Sequence, residues 1–230
     1  MTAFQDNIFS AGESDAWFRR NRAALEDGAR ADPVLDALRQ HVLAHQPASV
    51  LDVGCSNGWR LARLARLAPL VGGARLAGLD PSGEAIAAGR RRHKEFDLRQ
   101  ALASAIPFTG QFALVIVSFV LHWIDRASLG GSVAAIDRAV APGGFLVIAD
   151  FDPDQPERRR YHHRDDVEIY TFKQDYAALF LAGGNYSETQ RRVYQAGGGL
   201  LPAAERLSLA SDERCFVSVL RKQGGGASTP

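Results

Sequence analysis

The chain alternates short apolar runs with stretches of helical periodicity. Val50-Leu51-Asp52-Val53 is apolar at three of its four positions and runs into Gly54-Cys55-Ser56-Asn57-Gly58. Beyond it Leu61, Leu64, Ala65 and Ala68 recur at helical spacing. This predicts a strand, a tight turn and a helix. Leu76-Ala77-Gly78-Leu79-Asp80-Pro81 predicts a second strand that ends in an acid, 28 residues after Asp52, the length of one strand–helix–strand unit. A helix over residues 83–93 closes in Arg90-Arg91-Arg92, a basic run that suits a helix C-terminus. Phe112 to Val120 is continuously apolar, as a central strand buried on both faces would be. Ala141-Pro142-Gly143-Gly144 then turns into Phe145-Leu146-Val147-Ile148. Strands alternating with helices as far as Phe151 predict an α/β fold around a parallel sheet.

The flanks read differently. Ser14 or Asp15 is expected to cap a helix through Trp17, Phe18, Asn21 and Leu25. A second helix is expected from Pro33 to about Ala44, with Val34, Leu35, Leu38 and Val42 on one face. After Phe151, Asp152-Pro153-Asp154-Gln155-Pro156 interrupts regular structure, and the charged run Glu157 to Asp166 follows. A short helix is expected from Tyr176 to Leu181, and two closing strands over Thr189–Gln195 and Cys215–Leu220.

Composition narrows the function classes. At 230 residues the chain fits one α/β domain with an elaboration. Its 27 basic and 26 acidic residues give a net charge of +1, which offers no global field for nucleic acid or membrane. Cys55 and Cys215 lie 160 residues apart, which suggests two small buried residues rather than a disulfide framework. No C-x-x-C pair suggests a metal site. The first residues lack a signal-peptide pattern and no apolar run is long enough to span a bilayer, so a cytoplasmic protein is the expectation. Residues 224–230 read as a flexible tail.

The chemistry begins at the glycine-rich turn. Such a turn brings backbone N–H groups and a helix N-terminus close to a ligand, and an acid at the tip of the next strand can accept hydrogen bonds from a ribose diol. A dinucleotide site wants G-x-G-x-x-G, whereas Ser56 stands here where the middle glycine would be. An NAD-linked oxidoreductase is therefore disfavoured.

With four ordered landmarks, residues 48–152 resemble the class I S-adenosylmethionine-dependent methyltransferases. The first is Val50 to Gly58, and Asp80 occupies the family's ribose-binding position. Ala105-Ile106-Pro107-Phe108 matches the loop ending in Leu/Ile-Pro-Phe, without the acid that often precedes it. Ser118-Phe119-Val120-Leu121-His122-Trp123 matches the fourth motif, whose small-molecule members often show His-Trp. Ala141 to Ile148 matches the family's turn into its fifth strand.

The resemblance implies a seven-stranded, doubly wound, mostly parallel sheet with an antiparallel last strand. It implies an N-terminal helical lid over residues 1–47, a catalytic domain over 48–223 and an acceptor-binding insertion over 152–186, after strand five. Asp52 and the backbone of Gly54, Cys55, Ser56 and Gly58 would hold the amino-acid end of S-adenosylmethionine. Asp80 would take the ribose hydroxyls. Pro81, Ser82 and Ser104 would shape the adenine slot, and Ser118 and Phe119 would flank the methionine moiety.

His122, His162 and His163 are the candidate general bases, because an imidazole titrates near neutrality. For His122 the competing reading is packing beside Trp123. Arg160, Tyr161, Arg164 and Tyr170 are candidate acceptor-binding residues, since arginine forks suit an anionic acceptor; the competing reading is a solvated charge run. The family's N-P-P-Y signature of base and amide methylation is missing. Methyl transfer to an oxygen of a small anionic or sugar-like acceptor is the function expected, by a monomer or homodimer that binds no nucleic acid, membrane or metal. A non-catalytic partner subunit that keeps the cofactor fold is the alternative.

Overall fold

The computed structural model describes residues 4–67, 73–195 and 197–224, so Ala68 and residues 225–230 of the expected tail lie outside it. The chain opens with helices α1 (Phe4–Ile8) and α2 (Ser14–Glu26), joined through Phe9–Glu13 with a kink at Gly12. Asp32 then caps α3 (Pro33–His41), accepting from the Val34 N–H at 3.1 Å with Pro33 in the first turn. The central run is β1 (Ser49–Val53), α4 (Trp59–Ala65), β2 (Arg75–Asp80), α5 (Gly83–Arg92), β3 (Asp97–Gln100), β4 (Phe112–Ser118), α6 (Arg126–Ala139) and β5 (Val140–Phe151). It ends with β6 (Glu157–Arg160), β7 (Tyr170–Lys173), α7 (Ala177–Leu181), β8 (Tyr186–Tyr194), β9 (Leu201–Pro202) and β10 (Cys215–Lys222).

The main sheet has the order β3-β2-β1-β4-β5-β10-β8-β9. Strands β1 to β5 pair in parallel, and β10 runs antiparallel to both β5 and β8. The expected seven strands are present, and the two-residue β9 adds an eighth at the edge. Each face buries one apolar layer. Val50, Leu61, Leu64, Leu38 and Val147 pack together in one cluster, and Leu51, Val53, Val115, Ile136 and Ile148 in the other. Strand order reverses between β1 and β4, so the crevice at their carboxyl ends is the topological switch point where open α/β sheets bind ligands.

Two local expectations change. Neither Ser14 nor Asp15 caps α2: Ser14 is its first residue, and the chain enters it already in helical conformation through Glu13, with no side-chain cap bond. Asp15 instead serves α5: its Oδ1 accepts from Ser82 Oγ at 2.6 Å and from the Glu84 N–H at 3.0 Å. Of the charged run after Phe151, Glu157–Arg160 forms strand β6 of an antiparallel hairpin with β7, and residues 161–166 lie in the connection between them. The hairpin's end is tied to the first helix: Gln5 Nε2 donates to the Tyr170 carbonyl at 2.8 Å and the Tyr170 N–H donates to Gln5 Oε1 at 2.9 Å.

Arg214 fastens the chain after β5 to the start of β10. Its side chain is 1% exposed, and it donates to Asp152 Oδ2 at 2.9 Å, to Asp154 Oδ1 at 2.6 Å and to the carbonyls of Arg206 and Leu209 at 3.1 Å each. Asp152 would keep Arg206 at 2.9 Å without Arg214, so the main loss is that of the buried bonds to Asp152 and to the Arg206 and Leu209 carbonyls, about 1–3 kcal/mol for groups left unsatisfied. Arg214→Ala is therefore expected to lower the unfolding free energy by about 2 kcal/mol in urea titration. A loss under about 1 kcal/mol, the scale of an exposed pair, would mean the cluster is solvated.

Candidate functional site

The turn after β1 is held by the end of β2. The N–H groups of Gly54 and Cys55 both donate to the Leu79 carbonyl, at 2.8 and 2.9 Å. The Ser56 N–H donates to Asp80 Oδ2 at 2.9 Å, and the Ser82 N–H donates to Asp80 Oδ1 at 2.9 Å. Gly54 has φ 76°, and a Cβ there would sit 2.3 Å from Val120 Cγ2, so the turn and the chain after β4 approach too closely for any side chain. Ser56, where a glycine was expected, also takes a left-handed backbone at φ 51°. Such a conformation costs a non-glycine residue ~1–2 kcal/mol, and the bond to Asp80 offsets it.

A cleft of about 370 Å³ opens at this turn, within the ~300–1,000 Å³ range of small-molecule sites. Gly54, Ser56, Asp80 and Pro81 form one side, with Leu102 and Ala103 beyond them. Ser118, Phe119 and Val120 form its back. The walls also include Phe9, Trp17 and Leu25 from the N-terminal helices, with Trp123, Ile124 and Phe151, and the charged Asp6, Arg30 and Arg60. Phe119 is held with φ 55°; its N–H donates to the Ala149 carbonyl at 2.8 Å and its ring meets Phe151 edge-on at 5.3 Å.

Of the cofactor candidates, the cleft walls include Gly54, Ser56, Asp80, Pro81, Ser118 and Phe119. Asp52, Cys55, Gly58 and Ser104 are not among the wall residues. Asp52 and Cys55 are fully buried behind the turn. Ser104 is half-buried, and its neighbours Leu102 and Ala103 take its place at the cleft.

None of the three histidines lines the cleft. His122 is buried, with Nδ1 2.9 Å from Asp150 Oδ1 and its ring against Trp123 at 4.6 Å, so it supports the wall from behind. His162 and His163 are exposed beyond β6, with their rings tilted against each other at 3.9 Å. The acceptor candidates are also outside the walls. Arg160 is exposed and reaches the Asp165 carbonyl at 3.2 Å, Arg164 forks onto Asp166 at 2.7 Å with both bonds, and the Tyr170 hydroxyl meets Glu168. Tyr161 is buried; its hydroxyl donates to Glu13 Oε1 at 2.8 Å and accepts from Arg20 Nη2 at 2.6 Å. Its ring sits behind Trp123 at 4.8 Å, one layer away from the cleft.

Sequence reasoning missed Arg60, a wall residue only 7% exposed. Its Nε donates to Asp32 Oδ2 at 3.0 Å, its Nη2 to Ser118 Oγ at 3.2 Å, and its Nη1 lies 3.7 Å from Asp52 Oδ2. It thereby links the caps of α3 and α4 to the ends of β1 and β4. Burial pushes the Asp52 carboxyl up to about 7 despite Arg60. Burial also raises Asp80, to about 6, against the pull of its two backbone N–H donors.

Residues 50–144 match the methyltransferase domain family. One curated relative, an uncharacterized methyltransferase of Synechocystis sp., is 32% identical over 102 residues, 44% of this chain. The chain matches about half of that protein's length, 46%. Among solved structures, Burkholderia thailandensis 1,6-didemethyltoxoflavin-N1-methyltransferase superposes with a TM-score of 0.68 at 17% identity, covering 97% of this chain and 92% of that one. That structure holds 1,6-didemethyltoxoflavin and S-adenosylhomocysteine. The N-methyltransferase NodS of Bradyrhizobium japonicum, with S-adenosylhomocysteine, superposes at 0.55 and 20% identity over 82% of this chain and 85% of that one. The fold is shared with these methyltransferase structures, and the match to the methyltransferase domain family spans residues 50–144.

Asp52 and Asp80 give this site a pH signature. Both carboxyls are raised above the ordinary aspartate value near ~4, so the native protein keeps protons that the unfolded chain releases. Their contribution to stability therefore falls as pH rises from about 4 towards about 7, and stays low above it. Asp52→Asn is expected to flatten that part of a thermal-stability profile and to raise Tm near neutral pH. An unchanged slope would show that Asp52 titrates like an exposed carboxylate.

Proposed function

We propose that this protein binds S-adenosylmethionine in the cleft and transfers its methyl group to a small-molecule acceptor. The observation that carries this reading is Asp80, poised at the tip of β2 beside the Gly54–Ser56 turn. Both its oxygens are oriented by backbone N–H groups. Each keeps lone-pair capacity for a ribose hydroxyl. The Ser56 hydroxyl is buried at the same wall without a hydrogen-bond partner among the described residues, which leaves a polar group for a ligand.

S-adenosylmethionine brings a methyl group already activated on sulfur. The chain's residues bind, align and exclude water. Asp80 takes the ribose, and the turn's backbone with Ser118 and Phe119 takes the amino-acid end. Pro81, Leu102 and Ala103 give the adenine an apolar slot. Trp17, Phe9 and Leu25 cover the cleft from the N-terminal side. Asp32 and Ser118 fix the Arg60 guanidinium, and Asp52 lies behind it.

An oxygen or a nitrogen of the acceptor receives the methyl group. The cleft lends no support to an anionic acceptor held by Arg160 and Arg164, because both side chains are engaged elsewhere. Nor does it support a histidine base, since no histidine is among the described wall residues.

Calorimetric titration with S-adenosylmethionine, S-adenosylhomocysteine and NADH tests this reading. Both sulfur ligands are expected to bind and NADH is not. Asp80→Asn is expected to weaken binding by about tenfold or more, ~1.4 kcal/mol. Wild-type affinity is expected to fall as pH drops through about 6, where Asp80 gains its proton, and the variant is expected to lose that dependence. Binding of NADH alone would favour an oxidoreductase, and cofactor binding with no turnover on any acceptor would favour a partner subunit.

A further inference from the structure

Three rings that line the cleft, Phe9, Trp123 and Phe151, are held in orientation by contacts with their neighbours. Trp123 is partly exposed, with Phe9 tilted against it at 5.3 Å, His122 at 4.6 Å and Tyr161 edge-on at 4.8 Å. Its backbone is pinned as well, since Gln5 Nε2 donates to the Trp123 carbonyl at 2.6 Å. Phe151 is partly exposed and meets Phe119 and His122 edge-on at 5.3 and 5.0 Å. Tyr161 cannot swing away, because its hydroxyl is held between Glu13 and Arg20.

Polar groups beside these rings are few, and each is partly engaged by the protein. Asp6 accepts from the Asp125 N–H at 3.0 Å and from the Ser128 hydroxyl. Ser14 Oγ donates to the Phe9 carbonyl at 2.8 Å, and Asn21 Nδ2 donates to the Trp17 carbonyl at 2.9 Å. A polyol entering here would lose water from many hydroxyls and recover few hydrogen bonds. A flat ring would lose little and gain both apolar burial and ring-to-ring contact.

From this arrangement we propose that the acceptor is a flat aromatic or heteroaromatic molecule, bound against Trp123 between Phe9 and Phe151 and methylated on a ring-borne oxygen or nitrogen. This rests on the methyltransferase reading above. Transfer forms the bond from the methyl carbon to that atom and breaks the carbon–sulfur bond, whose electron pair stays on sulfur. The acceptor's proton goes to water. An aromatic hydroxyl fits a wall without histidine, because it ionises far more readily than an aliphatic one.

The test uses the full chain loaded with S-adenosylhomocysteine and titrated with catechol, 8-hydroxyquinoline and 7-hydroxycoumarin, with glucose and citrate as contrasts. At least one aromatic probe is expected to bind, and glucose and citrate are not. Trp123→Ala is expected to weaken that probe about tenfold while S-adenosylhomocysteine affinity changes by less than about twofold. Phe151→Leu gives a second, milder variant with the same expected pattern. With wild-type protein and S-adenosylmethionine, the bound probe is expected to be methylated. Aromatic probes that fail to bind at millimolar concentration to protein that holds S-adenosylhomocysteine would overturn the acceptor class alone. So would tighter binding of glucose or citrate, or equal loss of cofactor and probe in both variants. Failure to bind S-adenosylhomocysteine at all would remove the methyltransferase reading and this proposal with it.

Discussion

The grip of β2 on the turn after β1 is the constraint from which the rest of the site is built. One carbonyl, that of Leu79, takes two successive N–H groups, and the carboxylate one residue later takes a third from Ser56. A short polar turn is thereby fixed at the centre of the sheet, where β1 is paired on both sides. The close approach of Gly54 to Val120 then sets how near the chain after β4 comes to it. The cleft is the space left between these pieces, so its position follows from backbone hydrogen bonds more than from any ligand-facing side chain.

The remaining walls come from segments far apart in the chain. Glu13, 2% exposed, joins Arg20 of α2 to Tyr161 after β6, and Arg164 lies 3.6 Å from its other oxygen. Gln5 joins α1 to Trp123 and Tyr170. The N-terminal helices and the hairpin after β5 are thus parts of one cover. Its Phe9 and Trp17 reach the cleft, Tyr161 braces Trp123 from outside it, and most of its charged residues pair with each other or face solvent. This sorting explains why a stretch as basic as Glu157 to Arg164 contributes apolar support rather than charge to the site.

Legibility in the sequence followed how local each determinant is. Val50 to Gly58, Leu76 to Asp80 and Phe112 to Ser118 announce themselves, because period, turn chemistry and burial are all encoded within a few residues. The β6–β7 hairpin was not legible: its strands are short and mostly exposed, and Glu-Arg-Arg-Arg shows no alternation. Asp15 looked like a cap for its own helix and instead binds the start of α5, a partner that no local pattern reveals. Arg60 was passed over because helical arginines are commonly solvated, while its partners Asp32 and Ser118 lie 28 and 58 residues away. The histidines drew attention by chemistry alone, and their placement depended on contacts that sequence spacing does not carry.

Phe119 sets backbone comfort against side-chain use within a single residue. Its left-handed φ of 55° is a conformation that costs a bulky residue ~1–3 kcal/mol, and the structure retains it with the bond to Ala149 while the ring braces Phe151. Glycine or asparagine would sit there with less strain but would leave the aromatic wall without that brace. A search for thermostable variants would be drawn to this position and would trade order in the aromatic wall for melting temperature. Stability and the shape of the cleft are thus opposed at one identifiable peptide unit, just past the end of β4.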